Sequence, residues 1–323
     1  MRKFIATLIL TALLAVTLLG CGPRSESANK KPDGKLNIVA TIYPQYDFTR
    51  AIVGDRANLT MLVSPGASIH SFDPSPADIL KIKNADLFIY IGGESDVWVD
   101  KILGSMDTSK MKILRLMDCV KAVEEETVEG MEAEEATEGA SQDEEEEPEY
   151  DEHIWTSPEN AVKLINAISD SLCERDSANA DFYRNNAKSY TGEIKKVGDE
   201  IASIVKNAKH KKIVVADKFP FRYFVDEFGL DYCAAFGGCS DQTDASAATL
   251  AYLVDTVKKD SIPYVFYVEL SNQNVAKAVS EQTGAGMLLL NSCHNVTKSD
   301  FEAGVTYLSL MKQNAENLRK GLE

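Results

Sequence analysis

Only four histidines occur in 323 residues: His70, His153, His210 and His294. Imidazole is the commonest protein ligand for transition metals, so the placement of so few carries weight. His70 lies in Ser64-Pro65-Gly66-Ala67-Ser68-Ile69-His70-Ser71-Phe72-Asp73-Pro74, a turn-rich segment after an apolar run. His153 is flanked by Asp151 and Glu152 and leads into Trp155, then Ser157-Pro158, a helix start. His294 follows the apolar run Met287–Leu290. His210 sits in Lys209-His210-Lys211-Lys212, where neighbouring cations oppose another cation, and reads as a surface residue. Taken singly, a loop histidine is ordinarily solvated and an acid-flanked one ordinarily a surface ion pair. No Cys-x-x-Cys pair occurs, so a metal site here is assembled by the fold from distant residues.

The elements that would position these residues alternate. Strands are expected at Leu36–Thr41, Asn58–Val63, Leu87–Ile91 and Lys112–Leu116, with helices at Tyr46–Ile52, Ala77–Asn84 and Trp98–Leu103. The second half repeats the scheme: strands at Ile213–Ala216, Tyr232–Phe236, Tyr264–Val268 and Met287–Leu290, helices near Tyr223–Phe228, Ala247–Lys259 and Val275–Thr283, and a final helix from Phe301 toward Leu322. Such alternation predicts an α/β fold with mainly parallel sheets flanked by helices. Ligands then bind beyond the carboxyl ends of the strands, where His70 and His294 fall. Between the halves, Tyr183, Ala187, Tyr190, Ile194, Val197, Ile201 and Ile204 recur at alternating spacings of four and three. That stripe predicts one helix over 178–208, about 45 Å long, packed along both lobes of its own chain as a stiff backbone. A coiled-coil dimer seam is the alternative; no further heptads follow, and a monomer is expected.

The termini and the charge bound the function. Arg2 and Lys3 precede an apolar run from Phe4 to Leu19, the pattern of a secretory signal peptide over 1–20. Leu18-Leu19-Gly20-Cys21 resembles a bacterial lipobox, which implies lipidation of Cys21, a tether over 21–35, and an extracytoplasmic protein anchored to the membrane by lipid. The net charge of −16 is local: residues 122–152 hold 16 acidic side chains and no Lys or Arg, leaving 34 acidic against 34 basic elsewhere. The segment reads as a disordered acidic loop that concentrates cations weakly or merely solubilises. A neutral remainder argues against a nucleic-acid partner. Export permits disulfides among the remaining cysteines, Cys119, Cys173, Cys233, Cys239 and Cys293, though spacing alone assigns no pairing.

Ser64-Pro65-Gly66…His70…Pro74…Pro76…Asp78, together with His153-Ile154-Trp155…Ser157-Pro158, resembles the substrate-binding proteins of zinc and manganese ABC importers. The likeness extends from the lipobox through Tyr43-Pro44, the charged insertion and the long helix to the second half. It implies two α/β lobes, 36–177 and 209–323, joined by the long helix, with the metal in the cleft between them. It implies His70 and His153 as first-lobe ligands. The family's third histidine would fall in Val214-Val215-Ala216-Asp217-Lys218-Phe219-Pro220-Phe221, where Asp217 stands instead. Its fourth ligand, often a carboxylate, would fall in Asn291-Ser292-Cys293-His294. A swap gives His70, His153, Asp217 and His294, which suits tetrahedral Zn²⁺ and leaves no open position for a reactive water. Asp73 and Glu269 are reserve oxygen ligands. Cys239 and Cys293 could brace the His294 loop as a disulfide or act as thiolate ligands, which would also select zinc. The function so implied is a high-affinity zinc receptor, not an enzyme, serving a separate permease and ATPase. Manganese or iron as cargo, a surface adhesin and a secreted zinc hydrolase are the rivals; no His-Glu-x-x-His supports the last.

Overall fold

The structure is a computed structural model, and it describes residues 34–67, 72–132, 149–240, 242 and 244–323. The expected signal peptide, Cys21, most of the tether, His70 and the middle of the acidic loop lie outside the described residues.

Two four-stranded sheets are present, and every strand pairing within them is parallel. The first holds β1 (Leu36–Ala40), β2 (Ala57–Met61), β3 (Leu87–Tyr90) and β4 (Lys112–Arg115) in the order β2-β1-β3-β4. The second holds β5 (Lys212–Lys218), β6 (Asp231–Phe236), β7 (Tyr264–Tyr267) and β8 (Gly286–Leu289) in the order β6-β5-β7-β8. The order is the same in both halves and reverses beside the first strand of each, which opens a crevice at the strands' carboxyl ends. Strands such as Leu87-Phe88-Ile89-Tyr90 are buried throughout, as helices on both faces of a parallel sheet require.

The crossover helices are α1 (Tyr43–Val53), α2 (Pro76–Lys83), α3 (Val97–Gly104), α6 (Arg222–Phe228), α7 (Ala247–Lys259) and α8 (Asn274–Thr283). Between the sheets run α4 (Pro158–Arg175) and the long α5 (Ala180–Asn207). Ser157 caps α4 by accepting from the Asn160 N–H, and Pro158 occupies its first turn. The stripe from Tyr183 through Ile194, Val197, Ile201 and Ile204 is buried against α1, α4 and α10 (Tyr307–Gly321). Each such isoleucine contributes about 1.5–3 kcal/mol by leaving water.

Two expectations are corrected. The final helix is broken into α9 (Lys298–Glu302) and α10, because Gly304 adopts a left-handed φ of 75° and Thr306 starts a new capping box. The described ends of the acidic segment are ordered rather than disordered: Glu124 and Tyr150 form an antiparallel bridge, and Asp151 N–H donates to the Val123 carbonyl at 3.0 Å. Tyr223 fixes both ends, its hydroxyl accepting from Val123 N–H at 3.1 Å and donating to the Asp151 carbonyl at 2.8 Å. Among the described residues, no helix is long and apolar enough to cross a membrane.

Candidate metal centre

His153 is 0% exposed and opens a single 3₁₀ turn, Ile154–Thr156, ahead of α4. Asp151 Oδ1 accepts from His153 N–H at 2.7 Å and lies 3.2 Å from Nδ1. A proton on Nδ1 toward that carboxylate leaves the Nε2 lone pair as the donor, the arrangement by which carboxylates orient metal-binding imidazoles. Nε2 has no hydrogen-bond partner among the described residues. Burial disfavours the imidazolium, yet the charges of Asp151, Glu152 and Glu125 outweigh it and raise the pKa.

His294 is brought to the same place by the loop after β8. Trp155 Nε1–H donates to the Ser292 carbonyl at 2.8 Å, tying the two histidine segments together. The rings of His153 and His294 stand 5.5 Å apart at 86°, with the indole of Trp155 5.4 Å from the first and 5.3 Å from the second. Glu269 clasps this loop: its carboxylate accepts Ser292 N–H at 2.7 Å, Ser292 Oγ–H at 2.6 Å and His294 N–H at 3.1 Å. Burial nevertheless raises its pKa. Buried Asn314 pairs with both backbone groups of Asn291, at 2.8 and 2.7 Å. Asn295 Nδ2–H₂ reaches back to the carbonyls of Ser64 and Ala67 at 3.0 and 2.7 Å, so the loop is also anchored to the segment that leads to His70.

Asp217 lies at the carboxyl end of β5, 8% exposed. Its Oδ1 accepts Lys218 N–H at 2.9 Å and its Oδ2 accepts Val268 N–H at 3.3 Å, so it spans the crevice between β5 and β7. Asp217, Lys218, Gly238, Glu269 and His294 line one cavity of about 390 Å³. Asp73 is exposed, and His210 precedes β5 at the far end of that sheet.

Two further residues lie near the histidines: Glu152, which the sequence did not point to as a ligand, and Cys239, which it pointed to as a disulfide partner or a thiolate ligand. Glu152 accepts from Ser95 N–H at 3.0 Å and from the Ser95 hydroxyl. Cys239 Sγ lies 3.7 Å from Glu152 Oε1. A carboxylate oxygen of Glu152, a ring nitrogen of His153 and Cys239 Sγ all fall within 4.8 Å of one another, a grouping able to hold a metal ion. Burial, with the charges of Glu152, Glu125, Asp151 and Glu94 added, pushes the Cys239 thiol far above its ordinary pKa. The expected Cys239–Cys293 disulfide is not formed, and both thiols are free. Cys293 is buried instead beneath its own loop, its Sγ 3.8 Å from the Asn291 carbonyl. The sequence signal for Glu152 was slight, an acid beside a histidine, whereas Cys239 was already an alternative thiolate ligand.

A family profile described as "zinc-uptake complex component A, periplasmic" matches residues 38–321, nearly the whole described body. The chain belongs to this ZnuA family. It is 33% identical over 314 residues to the zinc-binding lipoprotein AdcA of Streptococcus pneumoniae, an alignment covering 97% of this chain and 60% of AdcA. The chain thus spans about three fifths of that relative's length. Against the high-affinity zinc uptake system protein ZnuA of Bacillus subtilis it is 29% identical, covering 97% of this chain and 96% of the other. The Zn(II)-bound ZnuA-like domain of pneumococcal AdcA superposes with a TM-score of 0.73 at 31% identity, covering 90% of this chain and 99% of that domain. The family resemblance and the two-sheet ZnuA fold expected from the sequence are therefore borne out.

Proposed function

We propose that the protein is an extracytoplasmic receptor that captures Zn²⁺ and delivers it to an ABC permease and its ATPase. The observation that carries this is the perpendicular imidazole pair, His153 and His294, 5.5 Å apart, with Nε2 of the buried His153 lacking a hydrogen-bond partner among the described residues. A neutral imidazole held by a carboxylate on one nitrogen has only its other lone pair to offer, and a cation satisfies it. The family and the names of the relatives support zinc as that cation. His70 is the proposed third imidazole, and the fourth donor is Asp217 or Cys239. Four protein ligands favour capture over catalysis, since a catalytic zinc keeps a position open.

In this reading residues 1–20 are the signal peptide, lipidated Cys21 anchors a monomer through the tether 21–35, and lobes 36–177 and 209–323 flank the helix 178–208. The test is metal analysis of the purified protein followed by Zn²⁺ titration with Mn²⁺ as competitor. One Zn²⁺ per chain is expected, held in preference to Mn²⁺. His153→Ala is expected to weaken zinc at least a hundredfold, more than the roughly 10–100-fold that loss of an outer partner costs. Wild-type zinc affinity in that variant would refute the assignment.

A further inference from the structure

The place where the family resemblance puts a third imidazole is filled by Asp217, whose two oxygens each accept a backbone N–H, from Lys218 and from Val268. A carboxylate so engaged holds the ends of β5 and β7 together, and its lone pairs are partly spent. Cys239 is better placed. Its sulfur shares a space of 4.8 Å with Glu152 and a ring nitrogen of His153. His153 is fully buried, and its Nε2 has no hydrogen-bond partner among the described residues. Gly238, which lines the cavity beside Asp217 and His294, brings the backbone of Cys239 against the imidazole: a methyl group there would lie 3.1 Å from its Cε1.

We infer that Cys239 supplies a thiolate to the ion held by His153, and that this sulfur sets the choice of zinc over manganese. The inference rests on the zinc-receptor reading and fixes its fourth donor. On binding, the S–H bond breaks, a sulfur–zinc bond forms with the sulfur's electron pair, and the proton leaves to solvent. The nearby carboxylates of Glu152 and Asp151 would repel a bare thiolate, and a divalent cation removes that repulsion. Soft sulfur ligands select zinc, whereas manganese favours oxygen. Asp217 then acts as a clasp that positions the β5 and β7 ends.

Cobalt(II) tests this directly, because a cobalt–thiolate bond gives an intense near-ultraviolet charge-transfer band that imidazole and carboxylate ligands do not. The wild-type protein loaded with Co²⁺ is expected to show the band, Zn²⁺ is expected to abolish it by displacement, and Cys239→Ser is expected to lack it. That variant is also expected to lose about tenfold of its preference for Zn²⁺ over Mn²⁺, the change that about 1.4 kcal/mol produces. Independently of any variant, Zn²⁺ should protect Cys239 of the wild-type protein from alkylation, read by peptide mass mapping. Bound cobalt without the band, a band that persists in Cys239→Ser, or alkylation of Cys239 at an unchanged rate would each overturn the thiolate assignment while leaving the zinc reading standing. Absence of any bound metal in the wild-type protein would overturn both.

Discussion

Gly238→Ala probes a close backbone approach to His153. The added methyl would sit 3.1 Å from Cε1 and 3.2 Å from Nδ1 of His153, and 3.1 Å from the Phe219 carbonyl oxygen, where ordinary contacts begin at 3.4 Å. The carbonyl is backbone and yields little, so the imidazole must recede by about 0.3 Å, against a repulsive wall that is steep at this range. Asp151 resists, because it binds both the backbone N–H and Nδ1 of the same residue. Metal–ligand distances tolerate about 0.2 Å, so the displacement exceeds what the coordination shell absorbs. Overpacking of this kind costs about 1–3 kcal/mol. If roughly half falls on the bound state alone, zinc affinity drops about tenfold, equivalent to about 1.4 kcal/mol. Calorimetric zinc titration and urea unfolding of the metal-free protein measure the two parts separately. An affinity within twofold of wild type, with a stability change under about 0.5 kcal/mol, would refute the close-approach argument, since surface substitutions of no structural consequence stay within that range.

Two further outcomes are expected. Burial, with the charge of Glu152 adding to it, raises the Asp96 carboxyl to about 6 from its ordinary 3.8, even though it accepts the N–H groups of Ile91 and Gly92. Ionised in the folded protein it therefore costs up to about 3 kcal/mol at neutral pH, a cost that fades as pH falls through 6 and is gone below about 4, where it is protonated folded or unfolded. Asp96→Asn keeps an acceptor for both N–H groups and should stabilise the metal-free protein by about 2–3 kcal/mol at pH 7.5 with the gain closing toward pH 4; a gain that ignores pH in urea unfolding would contradict this. Asn314→Ala orphans both backbone groups of Asn291 and should lower stability by about 2–4 kcal/mol, while also weakening zinc through the loosened His294 loop; calorimetry showing normal zinc affinity would uncouple the two.

What was legible in the sequence was whatever local periodicity or capping encodes. The Tyr183–Ile204 stripe fixed the long helix to within two residues of its ends, since a seven-residue apolar recurrence has one structural solution. Ser157-Pro158 marked the start of α4, but its length to Arg175 was not read because its buried face includes Asn160, Ser169 and Ser171. The break before α10 was written in Gly304 and Thr306 and was overridden by the apolar pattern around it. His153 and His294 were legible because histidine is rare here. Glu152 was not, and Cys239 was legible only as an alternative to a disulfide, because 87 residues separate them and nothing local announces that β6 delivers its following loop to the Asp151–His153 turn.

The same long-range packing ties the two halves of the chain together. Asp47, 1% exposed on α1, accepts from the Arg50 guanidinium, from the Tyr190 hydroxyl of α5 at 2.7 Å, and from Tyr307 N–H of α10 at 2.9 Å. Tyr43 and Arg50 of α1 both donate to the Val305 carbonyl, and Tyr307 donates to the Trp155 carbonyl at 2.7 Å. A buried chain of hydrogen bonds thus runs from α1 through α5 and α10 to the turn that carries His153. One apolar cluster also passes from Ile38 and Leu87 through Trp155 to Val215, Phe266 and Leu290, so residues of both sheets share a core. Swinging the sheets apart would expose that core at about 25 cal/mol per Å² and strand buried polar groups at about 1–3 kcal/mol each. Small loop adjustments break none of these contacts. The loops that meet at Asn295, between Ser64–Ala67 and the His294 segment, are joined by only two side-chain hydrogen bonds from that residue, whereas the frame behind them is tied by this buried chain and core.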